Sequence, residues 1–142
     1  MKTILEISNL TIQAQEKTLV NDISFDINQN EIIALVGESG SGKTLTSLAI
    51  MDLLPQGLRK TGEVKFFFEG GAEQEITHLR GNKIGMIFQE PMTALNPLHN
   101  IGKQIAEAIT IHQKNLTKEQ VNNRLLELLD LVGLSYLKNR LF

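Results

Sequence analysis

Residues 37–44 read Gly-Glu-Ser-Gly-Ser-Gly-Lys-Thr, a spacing that satisfies G-x-x-x-x-G-K-[ST]. These residue types together suit the handling of a phosphate chain. Gly37, Gly40 and Gly42 let the backbone take conformations a side chain would forbid, so that successive N–H groups turn inward on one anion. Glu38, Ser39 and Ser41 complete the loop between them. Lys43 would bring a mobile ammonium to the β- and γ-phosphates, and Thr44 a hydroxyl to Mg²⁺. A helix opening at this point would aim the positive end of its dipole at the same phosphates. With glycine at about 7% of residues, a chance match in a chain this long arises in well under about one sequence in a hundred. The competing reading is a glycine-rich structural turn.

The flanking elements favour the phosphate reading. Residues 32–36, Ile-Ile-Ala-Leu-Val, are apolar throughout, the character of a strand covered on both faces in a parallel sheet. Residues 84–88 repeat that character. From Lys43 to Leu54 the chain is dense in Leu, Ile, Ala and Met, and Pro55 follows, which predicts a helix buried on most sides that stops before the proline. The motif therefore sits where a strand gives way to a helix.

Around this centre other patterns place further elements. Ile23, Phe25 and Ile27 alternate with Ser24 and Asp26, a half-buried strand. Leu5 with Ile7, then Leu10 with Ile12, give a similar earlier pattern, so residues 3–27 read as antiparallel strands. Residues 64–68 read as another strand, with the Phe66-Phe67-Phe68 triplet as core and sheet packing. After Pro97 the period changes. Ile101, Ile105 and Ile109 lie on one helical stripe opposite Lys103, Gln104 and Glu107. Thr117 with Gln120 forms a capping box for a second amphipathic helix carrying Val121, Leu125, Leu128, Leu129 and Val132, which Gly133 closes. That stripe lasts only about two heptads, so it is a packing face and not a coiled coil.

Composition excludes several classes. The chain has 142 residues, 42% hydrophobic and 21% charged, with a formal net charge of −2, ordinary for one soluble globular domain or a piece of one. Lys and Arg form no run, so the electrostatic footprint of a nucleic-acid binder is missing. With no cysteine there are no disulfides or thiolate metal sites, which fits a reducing cytosol. The opening MKTILEISNL carries Glu6 within its apolar stretch and no cleavage signal. No apolar run approaches the roughly 20 residues of a membrane-spanning helix, so membrane association is expected to come through a partner.

A second landmark decides what kind of phosphate-loop protein this is. Residues 84–98 read IGMIFQEPMTALNPL, an apolar stretch ending at Gln89 and followed by a proline-bearing turn. Together with GESGSGKT, with the opening ISNLTI and with VNDISFDINQNEIIALVGESGSGKT, this segment resembles the ATPase subunits of ABC transporters, in the oligopeptide, dipeptide and nickel importer branch. The resemblance covers essentially the whole chain. It implies an α/β fold: a P-loop NTPase core, incomplete, with an N-terminal antiparallel β subdomain and the start of an α-helical subdomain. Residues 1–89 would belong to the nucleotide-binding core and 90–142 to the helical part.

The resemblance also implies roles. ATP and Mg²⁺ would be the cofactors, held by residues 37–44, with Lys43 acting on the phosphates and Thr44 on the metal. Gln89 would occupy the Q-loop position, where the family's glutamine reaches Mg²⁺ and the attacking water and reports nucleotide state to the membrane subunit. An amide can both donate and accept in that role; the plainer alternative is an exposed glutamine at a strand end. Partners would be the transmembrane permease subunits and a second ATPase subunit, on the cytoplasmic side of the cell membrane, with no nucleic acid.

Two departures stand against the family pattern. An aromatic ring usually stacks on adenine near the position of Ala14, and none lies there; the single tyrosine, Tyr136, is far along the chain. An LSGGQ-type signature, a strand ending in Asp-Glu and a switch histidine do not occur. Asp52 and Asp130 sit in helical patterns, and His78, His99 and His112 read as surface residues. The expectation is an N-terminal fragment that binds ATP without significant turnover and tends to self-associate. A non-catalytic nucleotide-binding or interaction module on a transporter is the alternative, and a P-loop kinase or GTPase a third.

Overall fold

The computed structural model describes residues 2–68, 71–90 and 94–140. They form two compact units, Met1–Lys83 and Ile84–Phe142.

The first unit is organised by a three-stranded antiparallel sheet. Strand β1 (Thr3–Ala14) lies between β2 (Lys17–Asn28), its hairpin partner, and β3 (Leu58–Phe66). The apolar residues of β1 change parity, from Leu5 and Ile7 to Leu10 and Ile12, yet all four are buried. Side chains alternate faces with a period of two, so one extra residue must be absorbed between the pairs. Asn9 lies there at φ 54, and the register against both neighbours shifts across it, as in a β-bulge. Its backbone N–H donates to Ser24 Oγ and its amide to Asp22 Oδ1, each at 2.8 Å. On the β3 side Gly62 faces the bulge at φ +89, where a Cβ would stand 2.4 Å from the Asn9 carbonyl oxygen. Only glycine fits that approach.

The sheet's inner face is the core of this unit, with Ile7, Leu10 and Ile12 almost wholly buried beside Val20 and Phe66. Burying each such side chain is worth about 1.5–3 kcal/mol. In β2 the expected alternation holds, with Ile23, Phe25 and Ile27 half-buried and Ser24 and Asp26 exposed. Strand β3 begins earlier than the 64–68 pattern predicts. Its polar start, Leu58 to Thr61, is recruited by pairing with Thr11 to Ala14. The phenylalanine triplet packs as expected: Phe66 is buried and Phe67 and Phe68 half-buried.

Helix α1 (Lys43–Ile50) is shorter than the 43–54 stretch, because the chain turns at Asp52 before reaching Pro55. Thr46 and Ala49 on it, and Met51 just beyond, are buried. A one-turn helix, α2 (Ile76–Leu79), buries Leu79.

Two expectations are corrected. Residues 32–36 and 84–88 do not form strands of a covered parallel sheet. Among the described residues neither segment enters a ladder, and Ile32, Val36 and Ile87 are 97%, 89% and 94% exposed. Their apolar character demands burial, but a strand covered on both faces also needs neighbours to pair with; among the described residues 32–36 pair with nothing and 84–88 carry a single bridge residue, Ile84. The sheet that does form is antiparallel and assembled from strands close in sequence or bulge-matched to them.

The second unit is an antiparallel-type helix pair packed side to side. Helix α3 (Ile101–His112) is capped by Asn100, whose Oδ1 accepts from the Lys103 N–H. Helix α4 (Lys118–Leu131) carries the expected capping box, with the Thr117 hydroxyl accepting from the Gln120 N–H and the Gln120 amide oxygen from the Thr117 N–H. Val121, Leu125 and Leu129 bury against Ile109, with Ile105 partly covered. Ile101 and Val132, at the stripe ends, stay exposed. Gly133, at φ 73, closes α4 through its N–H to Asp130 O and the Leu134 N–H to Leu129 O, a Schellman motif. A 3₁₀ helix follows (Ser135–Arg140). Its Ser135 and Lys138 bond the Asp130 carboxylate, and these contacts, Ser135 foremost, hold that carboxyl below its usual range. His78, His99 and His112 are exposed, as expected. Among the described residues no helix is long and apolar enough to cross a membrane.

Candidate phosphate-binding site

Residues 37–44 fold as a tight loop running into α1, all of it in the first unit. Gly40 and Gly42 take φ +81 and +91, the left-handed region that the motif's glycines were expected to supply, whereas Gly37 does not. A Cβ at Gly40 would meet open space. At Gly42 it would stand 2.6 Å from Val20 Cγ2 and 3.1 Å from Leu19 O, so this glycine is what lets the head of α1 press against β2. Gly37 approaches Ser41 just as closely, with a Cβ there 2.6 Å from Ser41 Oγ.

The loop is closed by Lys43. Its ammonium donates to Gly37 O at 2.8 Å, to Glu38 O at 2.6 Å and to Ser41 Oγ at 3.3 Å, while the Ser41 N–H donates to Glu38 O at 3.2 Å. Lysine is thus drawn across the loop that it follows. Gly42 caps α1 without any side-chain acceptor, so no capping side chain takes up the first-turn N–H groups, which a helix leaves without carbonyl partners. Glu38, Ser39 and Thr44 are exposed at the same place. No acidic residue occupies the first turn of α1, so nothing on the helix competes with an incoming anion. The Lys43 ammonium, the uncapped first turn and the exposed Thr44 hydroxyl are chain neighbours at the head of α1, a donor set that fits a polyphosphate with its divalent cation.

Gln89 lies on the second unit, exposed, in a bend after residues 84–88. Of the proline-bearing turn expected after it, residues 91–93 lie outside the described residues. Ala14 ends β1 opposite Lys17 and Leu58, and no aromatic residue neighbours it in the hairpin. Tyr136 is 75% exposed on the other unit.

At the far end of α1, Lys60 and Arg80 escaped the sequence reading, and Asp52, expected within a helical pattern, lies past the helix at φ 54. Lys60 Nζ bonds the Asp52 carboxylate at 2.8 Å and Ala49 O at 3.2 Å, and Arg80 Nη1 bonds Met51 O and Asp52 O at 3.3 Å each. The hydrogen bond from Lys60, then its charge, holds the Asp52 carboxyl below its ordinary value.

A glycine loop that opens a helix and is bridged by the lysine at that helix's first position defines a P-loop protein. Residues 20–142 match the family described as ABC transporter, and the chain belongs to that family. It is 44% identical over 142 residues to the oligopeptide transport ATP-binding protein OppD of Bacillus subtilis, an alignment covering 92% of this chain and 39% of the relative. To the uncharacterized ABC transporter ATP-binding protein YejF of Escherichia coli K12 it is 42% identical over 149 residues, covering 99% and 28%. To the OppD of Mycobacterium tuberculosis it is 39% identical over 147 residues, covering 99% and 24%. The chain thus spans between about a quarter and two fifths of the length of these relatives.

Proposed function

We propose that residues 37–44 bind the triphosphate of Mg·ATP and that the chain serves as nucleotide-binding part of an ATP-binding subunit in an ABC importer of peptides. The observation that carries this reading is an exposed loop with left-handed Gly40 and Gly42, bridged by the Lys43 ammonium and running into the uncapped first turn of α1. The peptide cargo rests on the names of the relatives; a nickel complex is the cargo of the same branch that the sequence resemblance also allows. In this reading the loop amides hold the β- and γ-phosphates. Lys43 exchanges its carbonyl partners for phosphate oxygens and Thr44 offers its hydroxyl to the magnesium ion, while Gln89 takes the Q-loop role on the family resemblance alone. Mg²⁺ would screen charge on the phosphates when bound. The partners would be permease subunits and a second ATP-binding subunit, at the cytoplasmic face of the membrane.

Calorimetric titration of the polypeptide with Mg·ATP tests this. Lys43→Ala is expected to weaken binding about ten- to a hundred-fold, the value of one charge-assisted hydrogen-bonding group. Equal affinity in the variant would remove Lys43, and with it the reading, from the site.

A further inference from the structure

The helix that carries the phosphate loop is only eight residues long, Lys43–Ile50, too short to be stable by itself. Its position is set by the packing of its buried Thr46 and Ala49 and by what grips its two ends. At the loop end, Gly42 seats against Leu19 and Val20 of β2. At the other end the chain closes with the Asp52 N–H on Ala49 O at 3.2 Å and the Leu53 N–H on Leu48 O at 2.8 Å. This is a Schellman closure, whose left-handed position is usually glycine.

Here that position is Asp52, at φ 54, a conformation that is strained for a residue with a side chain. What the carboxylate does in return is specific. It accepts from Lys60 of β3, and the same ammonium reaches Ala49 O on the helix itself. Arg80, just after α2, donates to Met51 O and Asp52 O. Two cations from two other elements therefore sit at the carbonyl end of α1, where the helix dipole favours positive charge. They tie that end to the sheet and to α2.

We propose that Asp52, with Lys60 and Arg80, is a positioning latch for the phosphate-binding helix: it fixes where the amino end of α1 stands, and through it the affinity of residues 37–44 for a nucleoside triphosphate. The latch is independent in geometry of the loop but rests, for its functional consequence, on the nucleotide reading above.

A cap that only ends a helix and a latch that positions one part company at Asp52→Gly. Glycine relieves the left-handed strain and keeps the Schellman closure, so a mere cap predicts an unchanged or higher thermal midpoint and unchanged binding. The latch predicts a midpoint that holds while the Kd for Mg·ATP rises about three- to ten-fold and amide exchange over residues 43–50 accelerates. Lys60→Met is expected to reproduce both changes, and Lys60→Arg to restore them. Unchanged affinity and unchanged exchange in Asp52→Gly and Lys60→Met would overturn the latch. Should the unaltered polypeptide ignore Mg·ATP, the nucleotide reading falls, and exchange over residues 43–50 decides the latch alone: faster in Asp52→Gly supports it, equal rates overturn it.

Discussion

Residues 23–27 and residues 32–36 are both rich in branched apolar side chains, and they end up in opposite conditions. The first is a paired strand with its apolar face half covered. The second makes no ladder and leaves Ile32 and Val36 almost fully exposed. Alternation encodes a strand that needs one neighbour and one covered face, and a hairpin brings that neighbour from nearby in the chain. A run that is apolar at every position encodes a strand that needs cover on both faces and partners on both edges, none of which adjacent sequence supplies. The phosphate loop straddles the two conditions: residues 37–44 follow the unpaired segment and open the helix that the sheet side holds.

The comparison breaks most easily on the paired side. Gly62→Ala should cost about 3 kcal/mol, because the new Cβ would face the Asn9 carbonyl oxygen at 2.4 Å and neither backbone can retreat without undoing the bulge. Urea titration of the variant measures it, and a cost below about 0.5 kcal/mol would mean that β3 does not press on β1 as described.

A smaller effect belongs to the contact between α1 and β3. Asp52 has a lowered folded pKa, so its stabilising contribution is complete above the unfolded value near 3.8 and is lost as pH falls through the lower folded value. The carboxylate side chain is 53% exposed, so solvent screening limits Asp52→Asn to about 0.5 kcal/mol at neutral pH. Denaturant midpoints should converge for the two proteins as pH drops below that window; a difference that persists there would assign the effect to something other than the Lys60 pair.

The least effect on stability is expected on the unpaired side. Ile32→Lys and Val36→Lys remove no packed side chain, so each should change stability by no more than about 0.5 kcal/mol. Both should raise the soluble concentration of the polypeptide, since an exposed apolar segment with unpaired backbone invites association. Light scattering against concentration reads this out. A large loss of stability would show that residues 32–36 are covered after all.

How much of this was legible follows from the same contrast. The strand pattern of Leu5 with Ile7 and Leu10 with Ile12 was legible in the sequence, as were the Ile23 to Ile27 alternation, the Thr117 and Gln120 capping box and the glycine loop itself, because each is written within a few residues. The polar start of β3 was not, since Arg59 and Lys60 become strand only by pairing with β1. The state of residues 32–36 and 84–88 was not legible either, because apolar composition states a need for burial without naming what meets it. At the site, Lys43 and the glycines could be read from spacing, whereas Lys60 and Arg80 reach α1 from other elements and carry no local signature.

The most direct measurement is an amide spectrum of the polypeptide titrated with Mg·ATP, following Gly40, Ser41, Gly42, Lys43 and Thr44. These amides are predicted to move together as phosphate oxygens replace the Gly37 and Glu38 carbonyls around the Lys43 ammonium, and to stay still in Lys43→Ala. Loop resonances that ignore Mg·ATP while resonances elsewhere shift would contradict the account.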